Sequence, residues 1–215
     1  MMLKTPDGTE FEVSEFGPED AKLGVLIIHD WWGVLDYNRE WAERLAAEGY
    51  RSMVIDLYDG ERARSAEQAG EMMRTMDQDI ADTKLLAAIN HLARGGRKLA
   101  SLGWSFGGRQ ALQAALLEPE SVVAAVMFYC RMLNDVEQLQ QLSGPVLAIY
   151  SEAEKSWPEK MDRFTEAMEE AGQKVESHSF NGAHGFVNPG SERYNAEITE
   201  QSWQLVRDFL ARNLR

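Results

Sequence analysis

Apolar, β-branched stretches recur along the chain at Leu23–His29, Ser52–Leu57, Lys98–Trp104, Ser121–Cys130 and Pro145–Tyr150, with longer amphipathic segments between them. This alternation is the pattern of repeated βαβ units. Runs such as GVLIIH and VVAAVMFYC are apolar at consecutive positions, as strands are when helices cover both faces of their sheet. A mostly parallel central sheet with helices on both faces is therefore predicted. The helices are expected at Asn38–Glu48, Ser65–Met76, Gln78–Arg94, Gly107–Leu117, Pro158–Ala171 and Ser191–Asn213, with Gly49, Gly95 and Gly172 where three of them should stop. TEFEVSEF, before the first buried strand, alternates polar and apolar residues and predicts an edge strand or hairpin added to the sheet. Lys174–Phe180 supplies a last strand.

No repeat, low-complexity tract or Pro/Gly/Ser linker interrupts the pattern, so residues 1–215 read as one α/β domain. With 35 acidic against 22 basic residues the net charge is −13, which argues against nucleic acid or an anionic membrane as partner. The longest apolar run, Val122–Cys130, is half of what a spanning helix requires. An acidic residue as early as Asp7 breaks any apolar stretch of the kind an export signal uses. The lone thiol, Cys130, has no disulfide partner in the chain. A reducing, cytoplasmic home follows as an expectation.

Candidate chemistry centres on Gly103-Trp104-Ser105-Phe106-Gly107, where strand Lys98–Trp104 gives way to a helix. A serine nucleophile on such a strand-to-helix turn needs small residues two before and two after it, so that the flanking backbone passes without Cβ clashes. The bland alternative is a tight turn whose serine caps the helix. A serine needs a base. His184, in the Gly-rich loop after the last strand, would hang at the carboxyl edge of the sheet, where open α/β folds bind ligands. His29, His91 and His178 lie inside elements or at a strand end, where structural roles fit better. The acid that orients the imidazole should follow strand Pro145–Tyr150, where Glu152 and Glu154 compete and Glu154 is preferred. Oxyanion donors are expected from the amides of Phe106 and Trp31, with Trp31, Trp32 and Phe106 walling an apolar pocket or packing as ordinary core. No cluster with metal-ligand spacing is evident, and no cofactor is expected.

Together these pieces resemble the dienelactone hydrolase family of the α/β-hydrolase fold: GVLIIHDWWG, RLAAEGY, IDLYDG, LGWSFGG, AVMFYC, LAIYSEAE and GAHGFVNP follow in order along most of the chain. The resemblance implies a cytoplasmic, metal-independent hydrolase of small lactones or esters with no large lid domain. The chain departs from the family's best-known members at several positions. Ser105 stands where they carry Cys, Asp30 stands for the Glu after the strand histidine, and Glu154 stands for the triad Asp. Asn188 stands where they have a carboxylate-binding Arg, and Cys130 replaces a glycine, which suits a small buried hydrophobe. Arg62 and Arg64 are candidate contacts to a substrate acid group, with solvated charge as the alternative. The expected activity is hydrolysis of a small carboxylic ester or lactone through a Ser105 acyl-enzyme. A thioesterase or acyl-transfer enzyme on the same residues, and a silent small-molecule-binding protein, are the alternatives. The net charge and Asn188 favour a neutral ester as substrate.

Overall fold

The computed structural model describes residues 1–214. Eight strands form one sheet in the order β1-β2-β4-β3-β5-β6-β7-β8. β1 (Met2–Lys4) and β2 (Glu10–Phe16) make an antiparallel hairpin at one edge, and β2 also pairs antiparallel with β4 (Arg51–Ile55). The remaining strands, β3 (Leu23–Ile28), β5 (Lys98–Trp104), β6 (Val122–Phe128), β7 (Val146–Ser151) and β8 (Val175–Phe180), run parallel to β4 and to one another. This is the α/β-hydrolase arrangement of a mostly parallel sheet, and the consecutive apolar runs arise because it is covered on both sides.

One face is closed by α1 (Asp36–Ala47) and α7 (Ala196–Asn213). There Trp41 meets Trp104 and Trp203 edge-on at 5.2 Å each, the T-shaped geometry aromatic quadrupoles favour. α3 (Gln78–Leu92), α4 (Phe106–Leu117) and α6 (Trp157–Glu170) close the other face, burying Leu85, Leu112 and Phe164 with the opposite sides of the same strands. α2 (Ala66–Thr75) is mostly exposed, and α5 (Val136–Leu139) is a single turn.

The predicted elements are present with shifted ends. The last helix begins at Ala196 and not at Ser191, because residues 188–194 form successive turns and Asn195 caps the helix by accepting from the amides of Glu197 and Ile198. β1 and α5 are additions that the periodicity does not reveal, being three and four residues long. Among the described residues no helix is long and apolar enough to cross a membrane.

β4 lies on one side of β3 and β5 on the other, so the chain reverses its direction of propagation between β3 and β5. Parallel order brings the loops after β3, β5, β6, β7 and β8 to one edge of the sheet. That edge carries the site.

Candidate active site

The turn between β5 and α4 is built by its glycines. A Cβ on Gly103 would lie 2.1 Å from Gly107 O, and one on Gly107 would lie 2.2 Å from His29 O, so both positions exclude any side chain. Ser105 sits between them with φ 53° and ψ −116°, a strained conformation that a well-packed surround must hold in place. Its amide donates to Phe128 O at 2.9 Å, tying the turn to the end of β6. The side chain makes no cap bond to α4. Ser105 Oγ lies 2.8 Å from His184 Nε2 instead.

His184 enters from the loop after β8, and its Nδ1 lies 2.5 Å from Glu154 Oε1, in the turn that follows β7. With the carboxylate as acceptor, Nδ1 carries the proton and Nε2 is free to accept from the Ser105 hydroxyl. The second oxygen of Glu154 is held by Lys160 Nζ at 2.5 Å. Burial pushes the Glu154 carboxyl up, but the hydrogen bonds from His184 and Lys160 outweigh it and leave the group below its ordinary value. Glu152 faces away from the histidine and accepts from Ser179 Oγ at 2.7 Å.

The loop after β3 lies across the site from the histidine. Asp30, 6% exposed, accepts from the Trp32 amide at 2.9 Å and from the Tyr37 hydroxyl at 2.7 Å. Burial raises its carboxyl to about 6. These bonds shape the turn that presents Trp31. Among the described residues neither the Trp31 nor the Phe106 amide donates a hydrogen bond, so both donors are open. His29 is fully buried and pins the base of this loop: Nδ1–H donates to Asp30 O at 2.6 Å and Nε2 accepts from the Leu57 amide at 3.1 Å. It is a structural histidine.

Two clefts meet at Ser105, His184 and Tyr129. The larger, about 760 Å³, opens between α2, α4 and α6. The smaller, about 350 Å³, is bounded by Asp30, Trp31, Trp32, Asn188 and Arg193. Trp31 and Trp32 are half-buried and touch edge-on at 5.4 Å; both wall the smaller cleft, and Trp31 also packs against the core.

Arg62 and Arg64 are a correction. Both are exposed and border a separate surface depression with Gly60 and Gln68, away from Ser105. The reason is topological: the segment after β4 leaves the sheet on the far side of the β3 loop, where the Ala63 amide donates to Trp32 O. Cys130 is buried at the end of β6, where a Cβ on Gly108 would meet its own at 2.9 Å, and burial pushes its thiol up to about 12. It is an inert small residue beside the turn.

Three neighbours of the site were not singled out from the sequence, although Tyr129 lies within the AVMFYC stretch. Tyr129, with φ 32°, packs its ring against that of His184, centroids 4.9 Å apart and planes tilted by 57°. Lys160 stands in the first turn of α6, where it reaches back to Glu154. Arg109, one helical turn beyond Ser105, shares the larger cleft with it. The usable signal for Tyr129 was its place at the carboxyl end of a central parallel strand. Among the described residues no group of three or more His, Cys, Asp or Glu side chains is arranged to hold a metal ion.

The chain is similar to known proteins over almost its whole length. It is 25% identical over 247 residues to the "Putative carboxymethylenebutenolidase" of Saccharolobus solfataricus, covering 96% of this chain and 95% of that one. The protein of the same name in Aquifex aeolicus is 27% identical, covering 92% and 91%. Among solved structures, a dienelactone hydrolase-like promiscuous phosphotriesterase from metagenomic libraries superposes with a TM-score of 0.86 at 19% identity, covering 100% of this chain and 98% of that one. The dienelactone hydrolase of Anabaena variabilis superposes with a TM-score of 0.75 at 22% identity, covering 100% and 97%. The profile of the dienelactone hydrolase family matches residues 11–214, and the chain belongs to that family of hydrolases.

Proposed function

We propose that this protein is a serine hydrolase of carboxylic esters or lactones, with Ser105 as nucleophile, His184 as base and then acid, and Glu154 as the group that orients the imidazole. The observation that carries the reading is the 2.8 Å approach of Ser105 Oγ to His184 Nε2 by a serine that leaves its helix uncapped. Ser105 Oγ attacks the ester carbonyl carbon and its proton passes to His184 Nε2. The carbonyl oxygen takes up the negative charge and faces the open amides of Phe106 and Trp31. Collapse breaks the bond to the alcohol oxygen, which leaves with the proton from His184. Water then attacks the acyl-enzyme, giving its proton to His184, and Ser105 recovers a proton as the acid departs.

The test is hydrolysis of short 4-nitrophenyl esters by the wild type and by Ser105→Ala, together with mass spectrometry after treatment with a fluorophosphonate. Loss of at least about a thousandfold in kcat, with one covalent adduct on Ser105 in the wild type, is expected. Undiminished turnover by Ser105→Ala overturns the assignment.

A further inference from the structure

Glu154 is a long acid in a turn whose other residues, Ala153, Lys155 and Ser156, are exposed. A glutamate has several rotatable bonds between backbone and carboxylate, and side chains of that kind lose the most freedom when they are fixed. The bond to His184 Nδ1 at 2.5 Å holds one oxygen and leaves the other free to swing. Lys160 Nζ removes that freedom by donating to Glu154 Oε2, also at 2.5 Å. The Lys160 and Glu154 side chains are 23% and 21% exposed, so the pair is shielded from solvent better than an ordinary surface salt bridge, and its charge is felt at the ring. Lys160 is itself held in place, since its backbone amide donates to Ser156 O at 2.9 Å in the first turn of α6. Lys160, Glu154, His184 and Ser105 thus form a line in which each group lies within 2.8 Å of the next.

We infer that Lys160 is a positioning residue of the hydrolase: it pins the second oxygen of Glu154 so that the first orients the His184 ring toward Ser105, and its cation disfavours a second cation on that ring. The inference rests on the hydrolase reading above and adds a fourth member to its line of groups. Two consequences separate this role from a merely structural one. A neutral imidazole attracts the carboxylate less than an imidazolium does, so Glu154 needs its second anchor most in the resting enzyme, before Ser105 gives up its proton. Without Lys160 the resting ring loses its orientation, whereas the imidazolium gains, through closer pairing with Glu154 and through loss of a nearby cation. The base becomes stronger and worse placed. A base stronger by about half a pH unit speeds proton transfer about threefold at most, while misplacement of a reacting group costs up to about a hundredfold, so the second effect wins.

Few other ionisable groups around this line change charge in the working range. Glu159 on α6 is paired with Arg163 at 2.8 Å, and Arg74, Arg109 and Arg131 line the same cleft and stay charged. Burial holds Tyr129 and Cys130 neutral at the end of β6. Glu192 and Arg193, adjacent and of opposite sign, border the smaller cleft. Asp30, raised by burial to about 6, titrates in the range of an imidazole, so the pH profile is read in the Asp30→Asn background as well.

The test measures kcat and KM for 4-nitrophenyl butyrate from about pH 5 to 9 in the wild type, Lys160→Met, Lys160→Arg and the control Lys155→Met, whose exposed lysine stands in the same turn as Glu154. In Lys160→Met kcat should fall about tenfold or more with KM within a few-fold, and the acid-side midpoint of kcat/KM should rise by about half a pH unit or more, in the Asp30→Asn background too. Lys160→Arg, which restores a cation at the single oxygen, should return both quantities to near the wild type, and Lys155→Met should leave them unchanged. If Lys160→Met fails to fold, Lys160→Gln carries the same expectations. A rise in KM with kcat unchanged would make Lys160 a substrate contact and overturn the inference, as would an unmoved midpoint or an arginine variant no better than the methionine one. Proton NMR of the strongly deshielded His184 Nδ1–H reads the ring's titration without turnover. A wild type that hydrolyses no ester would sink the hydrolase reading; a His184 midpoint still raised in Lys160→Met would then keep the coupling of Lys160 to the ring, and an unmoved one would remove it. Ester hydrolysis by Lys160→Met with the wild-type kcat and midpoint would sink the role of Lys160 and keep the hydrolase.

Discussion

Glu154 and Glu152 stand two positions apart and have different surroundings. Glu154 meets both His184 and Lys160, whereas Glu152 is occupied by Ser179. Replacing Glu154 by Gln keeps the shape and removes the charge that fixes the Nδ1–H tautomer, so kcat should fall by about 10³ to 10⁴ with little change in fold. Glu152→Gln should keep the rate within a few-fold, and steady-state kinetics on one ester distinguishes the two. Sequence alone leaves these residues in competition, because the choice depends on a turn in which the Glu154 amide donates to Ser151 O. Asp30 supports a second prediction. Its folded value near 6 lies above the ordinary 3.8, so the folded state holds this proton more tightly than the unfolded chain. The resulting stability is complete below pH 3.8 and lost as pH rises through about 6, leaving a penalty on the order of 2–3 kcal/mol at neutral pH. Asp30→Asn, which can still accept from the Trp32 amide and donate to Tyr37, should raise the melting temperature by several degrees at pH 7 and by little at pH 4. A lower melting temperature at pH 7 would refute the account.

At the scale of elements, the turn that carries Ser105 is set by close packing between α4 and β3. A methyl group at position 107 would stand 2.2 Å from His29 O and 2.3 Å from Ile28 O, both backbone atoms at the carboxyl end of β3. Neither can yield without separating α4 from the sheet. Gly107→Ala should therefore cost about 4 kcal/mol or more, seen as a collapse of the urea midpoint, and a midpoint near that of the wild type would contradict the packing argument. This part of the fold was legible in the chain because sterics demands the same glycines wherever a strand turns sharply into a helix. The central strands were legible for a related reason: Leu26, Ile27 and Ile28 are all fully buried, so both faces of β3 are apolar. The start of α7 was not. Ser191 has the chemistry of a cap, yet its hydroxyl accepts from the Arg193 amide within a turn, and the true cap lies at Asn195.

For the molecule as a whole, the charge of −13 opposes compaction at neutral pH, since like charges repel more strongly when folded than when the chain is extended. Lowering the pH relieves that repulsion and also restores the Asp30 proton. It works against His29, whose burial holds its imidazole below the ordinary 6.5. The neutral ring therefore stabilises the fold above about pH 6.5, and that contribution is lost as pH falls and the unfolded chain takes up the proton. Salt separates the general term from these local ones. Screening weakens repulsion between exposed carboxylates with a Debye length of roughly 10 Å at 0.1 M, while the buried Asp30 and His29 are screened much less. Raising sodium chloride from 0.05 to 0.5 M should thus raise the melting temperature at pH 7, and the gain should vanish near pH 4.8, where the net charge of the sequence is zero. Melting curves at the two salt concentrations across that range measure it directly. A gain that persists undiminished at the lower pH would show that salt acts through burial of apolar surface, not through the charge imbalance.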